Sequence, residues 1–153
     1  MNSARLLIMD LTFHIQASPD HVVEHLAMPH LFASVHPLIE RMEPLPGGRV
    51  RARERMMIGP WRTPLRFGYI AIIETDPAER TVRMSADVFG MARLRFTFRV
   101  RPQGSASLVM ERAEVNSFLP IRGLMNGIIR KQHAILFANI ERAGLARYAN
   151  AST

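Results

Sequence analysis

The chain has 153 residues, 48% hydrophobic and 22% charged, with a formal net charge of +7 and no cysteine. That length suits one sizeable core, so a single domain over 1–148 with a disordered tail at 149–153 is expected. The missing thiols exclude a disulfide framework and thiolate chemistry. No run approaches a membrane span, and the apolar run at 6–9 is too short for a signal peptide, so a cytoplasmic protein is expected. Lys131 is the only lysine among 20 basic residues, a skew that points to GC-rich coding and a bacterial source. The basic balance permits nucleic acid or anionic membrane as partners without requiring either.

Residues 7–17 alternate, with Leu7, Met9, Leu11, Phe13 and Ile15 on one face and Asp10, Thr12, His14 and Gln16 on the other, the pattern of a half-buried strand. Ser18-Pro19-Asp20 then opens a helix. Ser18 can cap, Pro19 fits the first helical position, and Asp20 suits the positive end of the dipole. That helix runs to about Ala27, and a second short one spans 29–35 until His36-Pro37 stops it. Strand-like segments follow at 39–44, 50–58, 65–75, 81–88, 92–101 and 106–115, separated by short turns rich in glycine and proline. With the first strand they predict an antiparallel meander of six or seven strands.

The run at 121–147 predicts one long helix, periodic over about six turns without a proline. Leu124, Ile128 and Ile135 form one edge of its apolar stripe, and Ile129, Leu136 and Ile140 the other. Met125, Gln132 and Asn139 share the centre line, and two of these three are amides. A dry core favours leucine there, since an unpartnered buried amide costs roughly 1–3 kcal/mol. The line therefore predicts the lid of a largely apolar cavity. The alternative is an ordinary core in which both amides bond neighbouring backbone. A sheet with one apolar face and a helix with one apolar stripe bury each other, and curvature of the sheet leaves the cavity between them.

The junction Ile15-Gln16-Ala17-Ser18-Pro19-Asp20-His21-Val22, the segment His36-Pro37-Leu38-Ile39, the glycine turn before Ala106 and the long terminal helix together resemble the START-like, or SRPBCC, superfamily. The resemblance covers nearly the whole chain. It implies an α+β helix-grip fold, with a curved antiparallel sheet around a long C-terminal helix and two short helices after the first strand. Members include polyketide cyclases and aromatases, coenzyme-Q-binding proteins, lipid-transfer domains and plant hormone receptors. The shared implication is an apolar ligand held between sheet and helix.

Strand alternation supplies candidate residues for the cavity. Arg49, Arg51, Arg53 and Arg55 share one face of their strand and must be solvated, so Val50, Ala52, Glu54, Met56 and Ile58 face inward. A carboxyl among apolar groups is costly unless paired, and burial raises its pKa, which makes Glu54 a functional candidate. Leu65, Phe67, Tyr69, Ala71 and Ile73 share the next inward face, where Tyr69 offers a hydroxyl. Val82, Met84, Ala86 and Val88 face in, as do Leu94, Phe96, Phe98 and Val100. The last strand is ambiguous: either Leu108, Met110, Arg112 and Glu114 face in, or Val109, Glu111, Ala113 and Val115 do. If Arg112 faces in, it can neutralise Glu54.

Glu54, Tyr69 and Arg112 are therefore the catalytic candidates for acid–base and orienting roles. His36, Met56, Phe67, Met84, Phe96, Met125, Ile128, Gln132, Leu136 and Asn139 are the ligand-binding candidates. His36 enters because it ends the helix that would gate the pocket, although His-Pro is also a plain helix stop. His21-Val22-Val23-Glu24-His25 matches the inverted zincin pattern H-x-x-E-H. Its short helix is peripheral to the inferred pocket, so His21 and His25 are expected to face solvent, with no metal and no cofactor.

A second arginine row, Arg93, Arg95, Arg99 and Arg101, joins the first on the sheet's outer face. No aromatic residues interleave it, so a solvated face is expected rather than a nucleic-acid surface. Membrane contact is permitted by the charge but not predicted, and monomer and homodimer both stay open. The expected function is binding of a hydrophobic or aromatic small molecule, with polyketide cyclase- or dehydrase-like chemistry implied by the resemblance. The alternatives are a non-catalytic lipid or quinone carrier, or an accessory protein acting through the basic face.

Overall fold

The computed structural model describes residues 5–152, with the side chain of Ile58 left out. Residues 1–4 of the expected domain and Thr153 of the expected tail lie outside the described residues. The elements are β1 (Arg5–Ile15), α1 (Pro19–Ala27), α2 (Pro29–Val35), β2 (Ile39–Pro44), a 3₁₀ turn (Pro46–Gly48), β3 (Arg49–Ile58), β4 (Thr63–Asp76), β5 (Thr81–Val88), β6 (Ala92–Gln103), β7 (Ala106–Ser117) and α3 (Arg122–Ala151). Helix α3 thus continues through residues 149–151, where the sequence predicts a disordered tail.

All seven strands form one antiparallel sheet in the order β1-β7-β6-β5-β4-β3-β2. This is the expected α+β helix-grip fold, in which the chain's last long strand carries the first one at the sheet edge. Hydrophobic alternation fixes the register. Met9 opposite Ala113, Val50 opposite Ala71 and Val82 opposite Phe98 all point inward and are buried. Strand β4 pairs with β3 over residues 63–72 and with β5 only over residues 71–76, so the β3–β4 hairpin extends beyond the rest of the sheet.

The two short helices form as their sequence dictates. Ser18 Oγ accepts the His21 backbone N–H at 3.3 Å, Pro19 takes the first turn, and α1 presents Val22 and Leu26 to the core. The main core lies between these helices, the inner sheet face and the C-terminal half of α3, around Phe98, Phe137, Leu136 and Ile140. A smaller cluster of Met9, Ala113, Val115 and Ile129 lies under the first half of α3. Among the described residues no helix is long and apolar enough to cross a membrane.

Helix α3 differs from the expected stripe. Leu124 and Ile135 are exposed, while the buried line runs through Ile129, His133, Leu136, Phe137, Ile140 and Gly144. Its two halves do different things. The C-terminal half packs onto α1 and the core, and the N-terminal half spans an open space.

Candidate functional site

That space is a cavity of about 250 Å³. Its floor is the inner sheet face, with Met56, Phe67, Met84 and Phe96 from successive strands. Phe32, Leu38 and Met42 close it on the α2–β2 side. Met125, Ile128, Ile129, Gln132 and His133 roof it from α3, and Phe89, Met91 and Leu119 surround its mouth. Five polar side chains reach this apolar lining: His36, Glu54, Tyr69, Gln132 and His133.

Strand alternation sends Glu54 inward as expected. Its carboxylate accepts the Tyr69 hydroxyl at 2.7 Å. Burial pushes the Glu54 carboxyl above the ordinary range, against opposing contributions from the Tyr69 hydrogen bond and the His133 imidazole. Burial, the neighbouring Glu54 charge and the same hydrogen bond push the Tyr69 phenol up. Tyr69 is therefore fixed as donor and Glu54 as acceptor, in surroundings that favour holding a proton.

His36 lines the cavity from the end of α2. Its Nδ1 accepts the backbone N–H groups of Leu38 and Ile39, at 3.1 and 3.3 Å. Two N–H donors on Nδ1 place the ring proton on Nε2. Burial, then the nearby His133, lowers the His36 pKa to about 3. His36 is thus both the helix stop and a neutral donor at the cavity wall.

The arrangement on β7 resolves the ambiguity of that strand. Val109, Glu111, Ala113 and Val115 face in. Arg112 faces out, with its guanidinium 3.8 Å from Asp10 and 3.7 Å from Glu114, so it has no access to Glu54. The two-residue period of the strand makes the choice all-or-none, and three apolar residues on the same face as Glu111 outweigh the cost of burying one carboxylate.

Glu111 meets its partner on α3. His133 Nδ1 and Glu111 Oε1 are 2.5 Å apart and both side chains are almost fully buried. Glu111 Oε2 is the one buried side-chain polar atom among the described residues without a hydrogen-bond partner. The imidazole is packed by Phe96, Phe98 and His36, at ring-centroid distances of 5.0, 6.0 and 6.2 Å. With Nδ1 engaged by Glu111, Nε2 is the nitrogen left for exchange with a cavity occupant. Sequence reading passes over His133. Its signal was available: His133 continues the line of Ile129 and Phe137, opposite a strand whose alternate face carries a carboxylate.

Two of the other candidates leave the site. Asn139 donates its amide N–H to the Val35 carbonyl at 2.9 Å, tying α3 to the end of α2. Leu136 is fully buried in the dry half of the helix rather than at the cavity. The centre line therefore divides, with Met125 and Gln132 at the cavity and Asn139 bonded to backbone. Leu65 stands outside as well, exposed toward the hairpin end.

His21 and His25 are buried, against the expectation that they face solvent. His21 Nε2 is 2.9 Å from the Ile140 carbonyl, and His25 Nδ1 is 2.9 Å from the His21 carbonyl, so each ring donates to backbone. His21 fastens α1 to α3, His25 bonds within α1, and both are separate from the cavity. No cluster of three or more potential metal ligands occurs among the described residues.

Comparisons extend this picture. Residues 8–149 match the family model described as polyketide cyclase / dehydrase and lipid transport. No curated protein sequence matches the chain. The Zhui aromatase/cyclase from Streptomyces sp. R1128 is similar in structure, with a TM-score of 0.71 and 15% identity over 94% of this chain and 96% of that one. A START superfamily protein from Mycobacterium smegmatis gives 0.72 and 14%, over 89% and 98% of the two chains. Norcoclaurine synthase from Thalictrum flavum, bound to dopamine and hydroxybenzaldehyde, gives 0.68 and 15%, over 94% and 89%. At these identities the likeness is one of fold.

Proposed function

We infer the function from one premise, that the chain belongs to the polyketide cyclase/dehydrase and lipid transport family: it binds a hydrophobic or aromatic small molecule in the cavity under α3 and acts on it by acid–base catalysis. The observation that carries this reading is the pair Glu54–Tyr69 and the imidazole of His133, held from behind by Glu111, brought to one apolar cavity. A carrier has no need of these ionisable groups, and burying them costs stability. Glu54, with its raised pKa, is suited to take a proton from carbon beside a carbonyl. Tyr69 orients the carboxylate. His133, held by Glu111, is suited to give a proton to oxygen at the other end of the substrate, and His36 to hold a carbonyl through Nε2–H. This serves an oxygenated, polyketide-like substrate undergoing ring closure or loss of water, which needs orientation and proton transfer but no covalent nucleophile.

The apolar lining supports a second reading, non-catalytic carriage of a quinone or lipid. One set of measurements separates the two. Native mass spectrometry identifies the copurifying molecule, and product formation from poly-β-carbonyl compounds is followed for the wild type, Glu54→Gln, Tyr69→Phe and His133→Phe. Catalysis requires product that falls at least about a hundredfold in Glu54→Gln, the usual worth of a general base, while the neutral dye N-phenylnaphthylamine still binds. Dye binding with no Glu54-dependent product establishes the carrier instead.

A further inference from the structure

The end of the molecule around the cavity mouth differs from the rest of its surface. Antiparallel order brings the β3–β4 tip, the β5–β6 turn and the β7–α3 connection to this one end. Trp61 at the first tip is 89% exposed, Phe89 at the second 62%, Phe118 in the third 48%, and Leu124 on the first turn of α3 64%. Met57, Leu65 and Met91 are exposed on the first two of these segments. Water-soluble monomers rarely leave so many large apolar groups together, and such a patch marks a contact surface.

Two of these segments carry charge of one sign. Residues 55–68 include Arg55, Arg62 and Arg66, residues 116–131 include Arg122, Arg130 and Lys131, and neither stretch contains an Asp or Glu. Arg66 is paired with Glu40 and Arg93 with Asp87, at 3.3 and 3.5 Å. Arg55, Arg62 and Arg122 remain as cations beside the apolar tips.

We propose that this end docks on a bilayer containing anionic phospholipid, with Trp61, Phe89, Phe118 and Leu124 at the headgroup–acyl boundary and Arg55, Arg62 and Arg122 on the lipid phosphates. Tryptophan favours that boundary, and each arginine near an anionic surface raises partitioning about fivefold. The apolar groups stand on three separate tips around an opening and form no single groove. A fluid surface accommodates that arrangement, whereas a folded acidic protein must match it in shape. The cavity mouth lies among the tips, so an apolar molecule can pass between bilayer and cavity without crossing water. That last clause rests on the ligand-binding reading, but the docking itself does not.

Trp61 is the only tryptophan, so the full chain carries its own reporter. Vesicles of phosphatidylcholine with phosphatidylglycerol should blue-shift its emission and float the protein. Phosphatidylcholine alone should do so far less, and high salt should release the protein. Trp61→Ala, exposed and so harmless to folding, and Arg62→Gln should each lower flotation about fivefold. Arg101→Gln, exposed on the outer face at the opposite end, should leave it unchanged. N-phenylnaphthylamine binding in solution should survive Trp61→Ala and Arg62→Gln, since neither residue lines the cavity. Loss of docking is thereby distinguished from loss of ligand binding. Docking is overturned by absence of flotation on anionic vesicles, by equal losses in Arg62→Gln and Arg101→Gln, or by an emission shift with soluble polyglutamate but not with vesicles.

Discussion

Glu54 sits among methionine and aromatic side chains, and its surroundings work against its own charge. Because burial raises its folded-state pKa, the folded protein holds a proton there that the unfolded chain releases. Stability is therefore lost as pH rises from the ordinary glutamate value of 4.5 through the raised one. Glu54→Gln keeps an acceptor for the Tyr69 hydroxyl and removes the ionisation. Its urea midpoint should exceed that of the wild type at pH near 8, and the gain should vanish in acid. A midpoint below the wild type at pH near 8 that recovers in acid would show that the Glu54 charge is itself stabilising. His36 titrates with the opposite consequence. Its folded pKa of about 3 lies below its ordinary 6.5, so the unfolded chain binds the extra proton. Stability contributed by the neutral ring is present above 6.5 and is lost as pH falls toward 3, by linkage on the order of a few kcal/mol. His36→Asn retains a side-chain acceptor for the turn before Ile39 and cannot titrate. Its acid denaturation curve should be flatter than that of the wild type over this window.

At the level of elements, the strands and turns were legible in the sequence because each strand has one wet face. Arginine rows on β3 and β6 mark that face unambiguously, and Glu54 and Tyr69 follow by alternation. On β7 charges occupy both faces, so alternation alone is silent about Arg112 and Glu111. Helix α3 was legible in extent but not in orientation. Leu124 and Ile135 lie on its exposed side, and periodicity cannot distinguish such leucines and isoleucines from core residues. His133 was passed over because its signal is not local: it continues the line of Ile129 and Phe137, and its partner Glu111 lies on the strand whose inward face alternation leaves open. The glycines of α3 test the division of this helix. An added Cβ at Gly127 meets nothing within 4 Å, whereas at Gly144 it meets His21 Nε2 at 3.2 Å and Ala17 Cβ at 3.3 Å. Gly127→Ala should gain up to about 1 kcal/mol from helix propensity. Gly144→Ala should lose stability despite the same gain, because the Ile140 carbonyl holds His21 in place. Thermal melts of both variants measure the difference, and equal stabilisation would mean that α1 is free to move away from α3.

For the molecule as a whole, the fold joins a packed half to a hollow half under one helix. Main-core residues such as Phe98 and Phe137 are almost wholly enclosed, while Met84, Ala86 and Leu94 of the same sheet face the cavity. These two environments respond oppositely to added volume. In a filled core, extra methylene groups force neighbouring side chains off their rotamers and cost about 1–3 kcal/mol. In a cavity of about 250 Å³ the added groups find space and contacts instead. Ala86→Leu, on the cavity floor, should therefore leave the urea midpoint unchanged or raised. Ala113→Leu, on a fully buried position of β7, should lower it by the full overpacking cost. The cavity variant should also weaken N-phenylnaphthylamine binding, since the dye and the new side chain compete for one volume. Stability and dye affinity then move in opposite directions at Ala86. A loss of stability at Ala86 matching that at Ala113, with dye affinity unaltered, would mean that the space under α3 closes in solution and that the ligand site lies elsewhere.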